Sequence, residues 1–144
     1  MKKAILQWKG KMQFSATTGS GHQVTLDARE EVGGENRGPR PTELVLVALG
    51  GCTSMDIVSI LRKMRVDFNR VDVQVTGEEA TEHPKSYTSV NVLYQVDGEG
   101  VSPEKLERAI VLSRDRYCVV ANLINARAVI SYAYQINGGP MVTL

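Results

Sequence analysis

An α+β fold on a largely antiparallel sheet, in the order βββ-α-ββ-α-β, is what three features of the sequence predict. Strand-like segments come in groups instead of alternating with helices. One central segment is too uniformly apolar for a surface helix, and Gly- and Pro-bearing turns divide the groups. At 144 residues the chain is expected to form one domain over 1–144. Its 42% hydrophobic and 23% charged residues match a soluble globular chain with a core.

Lys3–Lys9, Met12–Thr17 and Gln23–Ala28 carry Val, Ile, Phe and Thr between turns at Gly10 and Gly19–Gly21, and read as an antiparallel meander. The loop from Arg29 through Gly33-Gly34 to Gly38-Pro39-Arg40-Pro41 fits neither period and is expected to be mobile. Apolar residues crowd Thr42–Val66, so this helix should be buried on most sides, with Pro41 suited to its first turn. Val71–Glu78 and Tyr87–Val96 alternate Val and Leu with polar residues around a Glu82-His83-Pro84-Lys85 turn, which predicts a long hairpin. Ser102-Pro103 signals a helix start, with Leu106, Ala109, Ile110, Ser113 and Tyr117 on one face. After Cys118 a short apolar turn, Val119–Ile124, leads to a last strand, Ala128–Ile136. A small sheet covers only part of so apolar a central helix, and a second subunit is the expected source of the rest, making a homodimer.

A formal net charge of +1 gives no field to gather nucleic acid or an anionic membrane. The opening Met1-Lys2-Lys3 run is followed by too few apolar residues for a signal peptide, and no stretch is expected to approach the roughly 18–20 apolar residues of a membrane span. These readings place the protein in the cytoplasm, where two cysteines are buried residues or reactive thiols more readily than a permanent staple.

Cys52 sits after Gly50-Gly51 in the central helix. Two interior glycines cost about 1 kcal/mol each, so they imply close packing, a local break, or backbone approach to a substrate or partner beside the thiol. Cys118 stands where one helix ends and a helical turn begins, beside Arg116; there the dipole and the cation would favour thiolate, while a buried apolar contact is the plainer alternative. His22 and His83 are distant from both cysteines and from each other, so no metal is expected. The Gly19-Ser20-Gly21 and Gly33-Gly34 stretches lack a phosphate loop's context, and no Ser stands in a nucleophile elbow.

Pro41-Thr42-Glu43-Leu44 through Ala48-Leu49-Gly50-Gly51-Cys52, followed 66 positions later by Tyr117-Cys118-Val119-Val120-Ala121-Asn122-Leu123, resembles the OsmC/Ohr family of organic hydroperoxide resistance and osmotically inducible proteins. The resemblance runs from the first strand to Ile136. It implies an intertwined α+β homodimer with its sites at the subunit interface, and a cysteine-based reduction of organic hydroperoxides. By that likeness Cys52 attacks the O–O bond, and Cys118 condenses with the resulting sulfenic acid to a disulfide that an external dithiol reduces, without metal, haem or flavin. The family also holds its attacking thiolate with a Glu and an Arg. Its Glu lies ten positions before the cysteine, whereas this chain has Thr42 there and Glu43 at nine, about 13 Å along an ideal helix and better placed for a partner's thiol. Arg29 is the arginine assigned here. Gly50-Gly51 and Val119 stand where many members carry alanines and a proline, which marks a divergent branch and keeps a second reading open: a non-enzymatic dimer of this fold that binds a small apolar ligand in its interface cleft.

Overall fold

The structure, a computed structural model, describes residues 2–144; Met1, which heads the opening basic run, lies outside them. The chain divides into two compact units, Met1–Val45 and Leu46–Leu144.

In the first unit β1 (Ala4–Gly10), β2 (Gln13–Thr18) and β3 (Gln23–Leu26) form the expected antiparallel meander in that order. β3 ends two residues early because Asp27 turns inward. Its buried carboxylate accepts from the amides of Ala28 at 2.8 Å, Glu35 at 3.2 Å and Arg37 at 3.1 Å. The loop that fits neither period is therefore folded around one side chain, and the Arg37 amide is the largest influence holding that carboxyl below its ordinary range. Gly34 is required there, since a Cβ would stand 2.0 Å from the Ala28 carbonyl oxygen. A 3-10 turn, Glu30–Val32, fills the loop.

α1 (Pro41–Lys63) opens at Pro41 as the sequence predicts and runs into the second unit. There follow β4 (Arg70–Glu79), β5 (Tyr87–Asp97), α2 (Pro103–Leu112), a π-turn (Ser113–Tyr117), α3 (Val119–Asn125), β6 (Val129–Ile136) and β7 (Val142–Thr143). The second sheet has the order β4-β5-β6-β7. β4 and β5 form the expected hairpin, but β6 lies parallel to β5, Val92 opposite Tyr132, and β7 is an unforeseen edge strand. A parallel neighbour needs a long crossover, and α2 through α3 supplies it.

The core of this unit joins Leu49, Ile57 and Leu61 of α1 to Val90, Val92, Tyr94 and Val96 of β5 and to Leu106, Ala109 and Ile110 of α2. Two expectations for α1 need correcting. It is not buried on most sides within this chain, because the sheet covers one stripe; Val47 and Met55 remain 64% and 75% exposed. Its 23 residues include an 18-residue stretch of mean hydropathy 2.0, which meets the length and composition of a bilayer span and which interspersed Gly, Thr and Ser hide in the sequence. Here Leu49, Ile57 and Leu61 use it as a core helix.

Candidate functional site

Cys52 lies midway along α1, half-buried, and the helix passes through Gly50 and Gly51 unbroken. The two glycines differ. A Cβ on Gly50 would sit 3.1 Å from Val75 Cγ2, so this glycine lets the helix pack closely on β4, whereas Gly51 faces open space. One turn beyond Cys52 stands Asp56, which i, i+4 spacing puts on the same face.

Cys118 reaches this face through the π-turn. A regular helix from α2 would stack Tyr117 beneath Ser113, as the sequence periodicity implied. Instead the chain widens by one residue, the Cys118 amide donates to the Ser113 carbonyl at 2.8 Å, Cys118 turns in and Tyr117 is left 55% exposed. Cys118 then caps α3, a true helix where only a turn was expected, its sulfur accepting from the Ala121 amide at 3.4 Å.

One carboxylate oxygen of Asp56 and the sulfurs of Cys52 and Cys118 consequently lie within 4.8 Å of one another. Asp56 was not singled out from the sequence, although its spacing from Cys52 was the available signal. Around them runs a buried hydroxyl chain: Tyr94 Oη lies 2.5 Å from Thr53 Oγ1, Thr53 Oγ1 lies 3.0 Å from Ser113 Oγ, and Ser113 Oγ donates to Asp56 Oδ2 at 2.9 Å. Burial drives the Tyr94 hydroxyl's pKa upward.

Of the two readings open for Cys118, burial is the one the structure takes. Burial, the largest influence, pushes its pKa up from 9.0 to about 11, against the Ala121 amide, with Cys52 and Asp56 raising it further. Tyr132, whose pKa is raised by burial and by Cys118, has a buried hydroxyl with no hydrogen-bond partner among the described residues. A cavity of about 180 Å³ lined by Arg114, Arg116, Tyr117, Cys118 and Asn122 leads to the buried thiol.

Arg29 and Glu43 lie in the first unit. Glu43 is the third residue of α1 and reaches back to the Arg40 amide at 2.9 Å, half of a capping box, and to the Arg40 guanidinium at 3.4 Å. The Arg40 amide is the chief cause of its lowered pKa, and Arg29 adds to the lowering. Among the described residues, Cys52, Asp56 and Cys118 form the group able to offer three donors to a metal.

Comparison with known proteins adds kinship to this geometry. A profile of the family described as OsmC-like protein matches residues 33–133. Protein YhfA of Escherichia coli K12 is 33% identical over 133 residues, covering 92% of this chain and 96% of that protein. A crystal structure of a hypothetical protein from Aquifex aeolicus VF5 superposes with a TM-score of 0.80 at 28% identity, covering 95% and 98% of the two chains. An organic hydroperoxide resistance protein OsmC from Legionella pneumophila gives a TM-score of 0.69 at 15% identity, over 94% and 96%, a likeness of fold.

Proposed function

The chain belongs to the OsmC-like family, and from that membership and its paired sulfurs we propose that it is a thiol peroxidase reducing organic hydroperoxides. Cys52 attacks the O–O bond as thiolate, leaving a sulfenic acid and, once protonated, an alcohol. Cys118 displaces hydroxide from that sulfenic acid to form a disulfide, and an external dithiol restores both thiols. The observation that carries this reading is the approach of two sulfurs, 66 positions apart, to within 4.8 Å. A Cys118 that stays protonated to about pH 11 suits the resolving part, since it does not compete for peroxide.

The working unit is a homodimer in the cytoplasm. Val47 and Met55 on α1, with Val119 and Leu123 on α3, are exposed apolar side chains that a second copy would cover. In that dimer Glu43 serves the partner's Cys52 as the orienting carboxylate and Arg29 is the activating cation; Arg29 adds to the lowering of the Glu43 pKa, which supports their pairing.

The test is a mass measurement. One equivalent of cumene hydroperoxide should remove both thiols and lower the mass by two hydrogens, with dithiothreitol reversing it; Cys52→Ser should abolish the change, and Cys118→Ser should stop at the sulfenic acid. A folded chain whose Cys52 stays reduced overturns the reading. An open groove of about 520 Å³ along α1, lined by Met55 and Val58 together with Ser54, Ser59, Arg62 and Lys63, supports the second reading, a non-enzymatic dimer that binds a small apolar ligand where this face forms an interface cleft. Ligand affinity unaffected by Cys52→Ser, in a chain inert to peroxide, would select it.

A further inference from the structure

Asp56 is the carboxylate that the fold sets beside both sulfurs, and nothing in the cycle above uses it. Its oxygen lies within 4.8 Å of Cys52 Sγ and of Cys118 Sγ alike, a separation that a small approach or one intervening water closes for proton transfer to either.

Counting donors shows how it is held. Ser113 gives its single hydroxyl proton to Asp56 Oδ2, so its oxygen must accept from Thr53. Thr53, having given its proton to Ser113, must accept from Tyr94. Three hydroxyls, each no more than 2% exposed, therefore point in sequence toward one carboxylate. Such a chain polarises along its length and fixes the group at its end. A surface aspartate has no such support.

The peroxidase cycle moves two protons that sulfur cannot carry. In the first half a thiol must lose a proton and a departing alkoxide must gain one; in the second, a thiol loses one and a departing hydroxide gains one. We infer that Asp56 is the proton carrier for both halves of the cycle, taking the proton from whichever sulfur attacks and returning it to the oxygen that leaves. The inference rests on the peroxidase reading. In the first half Cys52-SH and ROOH become Cys52-SOH and ROH: an S–O bond forms, the O–O bond breaks, sulfur is oxidised by two electrons and the peroxide reduced by two. In the second, Cys118-SH and Cys52-SOH become the disulfide and water. Asp56 ends each half as carboxylate.

A carboxylate acting only through its charge would do the opposite, because a neighbouring anion disfavours a thiolate. That difference in sign makes the role testable. Asp56→Asn removes charge and base but keeps an acceptor for Ser113. Wild type and variant are compared near neutral pH, with EDTA present, for reduction of cumene hydroperoxide and for alkylation of Cys52 by iodoacetamide, which needs thiolate but no proton for its leaving group. The expected result is alkylation as fast as wild type or faster, with hydroperoxide reduction lowered about 10²–10⁴-fold.

Equal hydroperoxide rates overturn the inference. So does a parallel loss of both reactions, which would place Asp56 in thiol activation alone, and so does a wild type that EDTA inactivates, which would make Asp56 a metal ligand. Should Asp56→Asn fail to fold, Asp56→Glu keeps the base but displaces it by a methylene. It is expected to lower hydroperoxide reduction at least about tenfold with alkylation unchanged, and equal rates again overturn the inference. A wild type that consumes no hydroperoxide overturns the peroxidase reading itself, a result distinct from a variant that matches an active wild type.

Discussion

The amide of Cys118 donates to the carbonyl of Ser113 at 2.8 Å, five residues back where an α-helix would pair four. This single added residue turns Cys118 inward. Deleting the exposed Asp115 should convert the π-turn to α geometry and leave the cysteine still beneath Ser113, so peroxide-driven loss of both thiols is retained. Inserting an alanine after Asp115 should instead rotate Cys118 by about 100° and abolish the coupling while Cys52 still oxidises. Mass spectrometry after one equivalent of hydroperoxide distinguishes the outcomes.

Two of the three buried tyrosines of the second sheet, Tyr94 and Tyr132, should respond oppositely to loss of their hydroxyls. Tyr94→Phe removes the donor at the head of the chain that ends on Asp56, and should cost about 1–3 kcal/mol. Tyr132→Phe removes a buried hydroxyl without a partner, and should be neutral or stabilising by up to about 1 kcal/mol. In thermal melts each kcal/mol corresponds to roughly 2–4 °C at this chain length.

Replacing the two helix glycines separates packing from propensity. Gly51→Ala adds a methyl to open space and should stabilise by about 0.5–1 kcal/mol. Gly50→Ala gains the same propensity but presses Val75 Cγ2 at 3.1 Å, and should fall clearly below Gly51→Ala in urea midpoint.

The Cys118 thiol makes stability fall in alkali. Its folded pKa of about 11 exceeds the ordinary 9.0, so the folded chain binds the proton that the unfolded chain has released. Its contribution is whole below pH 9, declines from there to about pH 11 and is then spent, a loss of about 1–3 kcal/mol. Cys118→Ala should lack this component when urea unfolding is compared at pH 8 and pH 11, which subtracts the tyrosines titrating in the same range.

The elements with strong local signals were legible in the sequence. Ser102 and Pro103 announced α2, and the Ser102 hydroxyl does accept from the Lys105 amide at 3.4 Å. The alternation of Val71–Glu78 and Tyr87–Val96 announced the hairpin because each strand has one wet face. The π-turn was not legible: the pattern Leu106, Ile110, Ser113 fits an α-helix up to the residue where the register changes, and widening leaves no compositional mark. Asp27 was hidden for another reason, since the amides of Glu35 and Arg37 that it holds are eight and ten positions away. The parallel pairing of β6 depends on a tertiary choice of neighbour that alternation alone does not encode.

That pairing also sets when the two thiols first meet. Cys118 lies in the crossover between β5 and β6, and a parallel pair closes only after its second strand has been made. During synthesis Cys52 therefore emerges well before its companion has a seat. The approach of the two sulfurs to within 4.8 Å is thus tied to the docking of Val129–Ile136, so completion of the second sheet acts as a clock on their encounter.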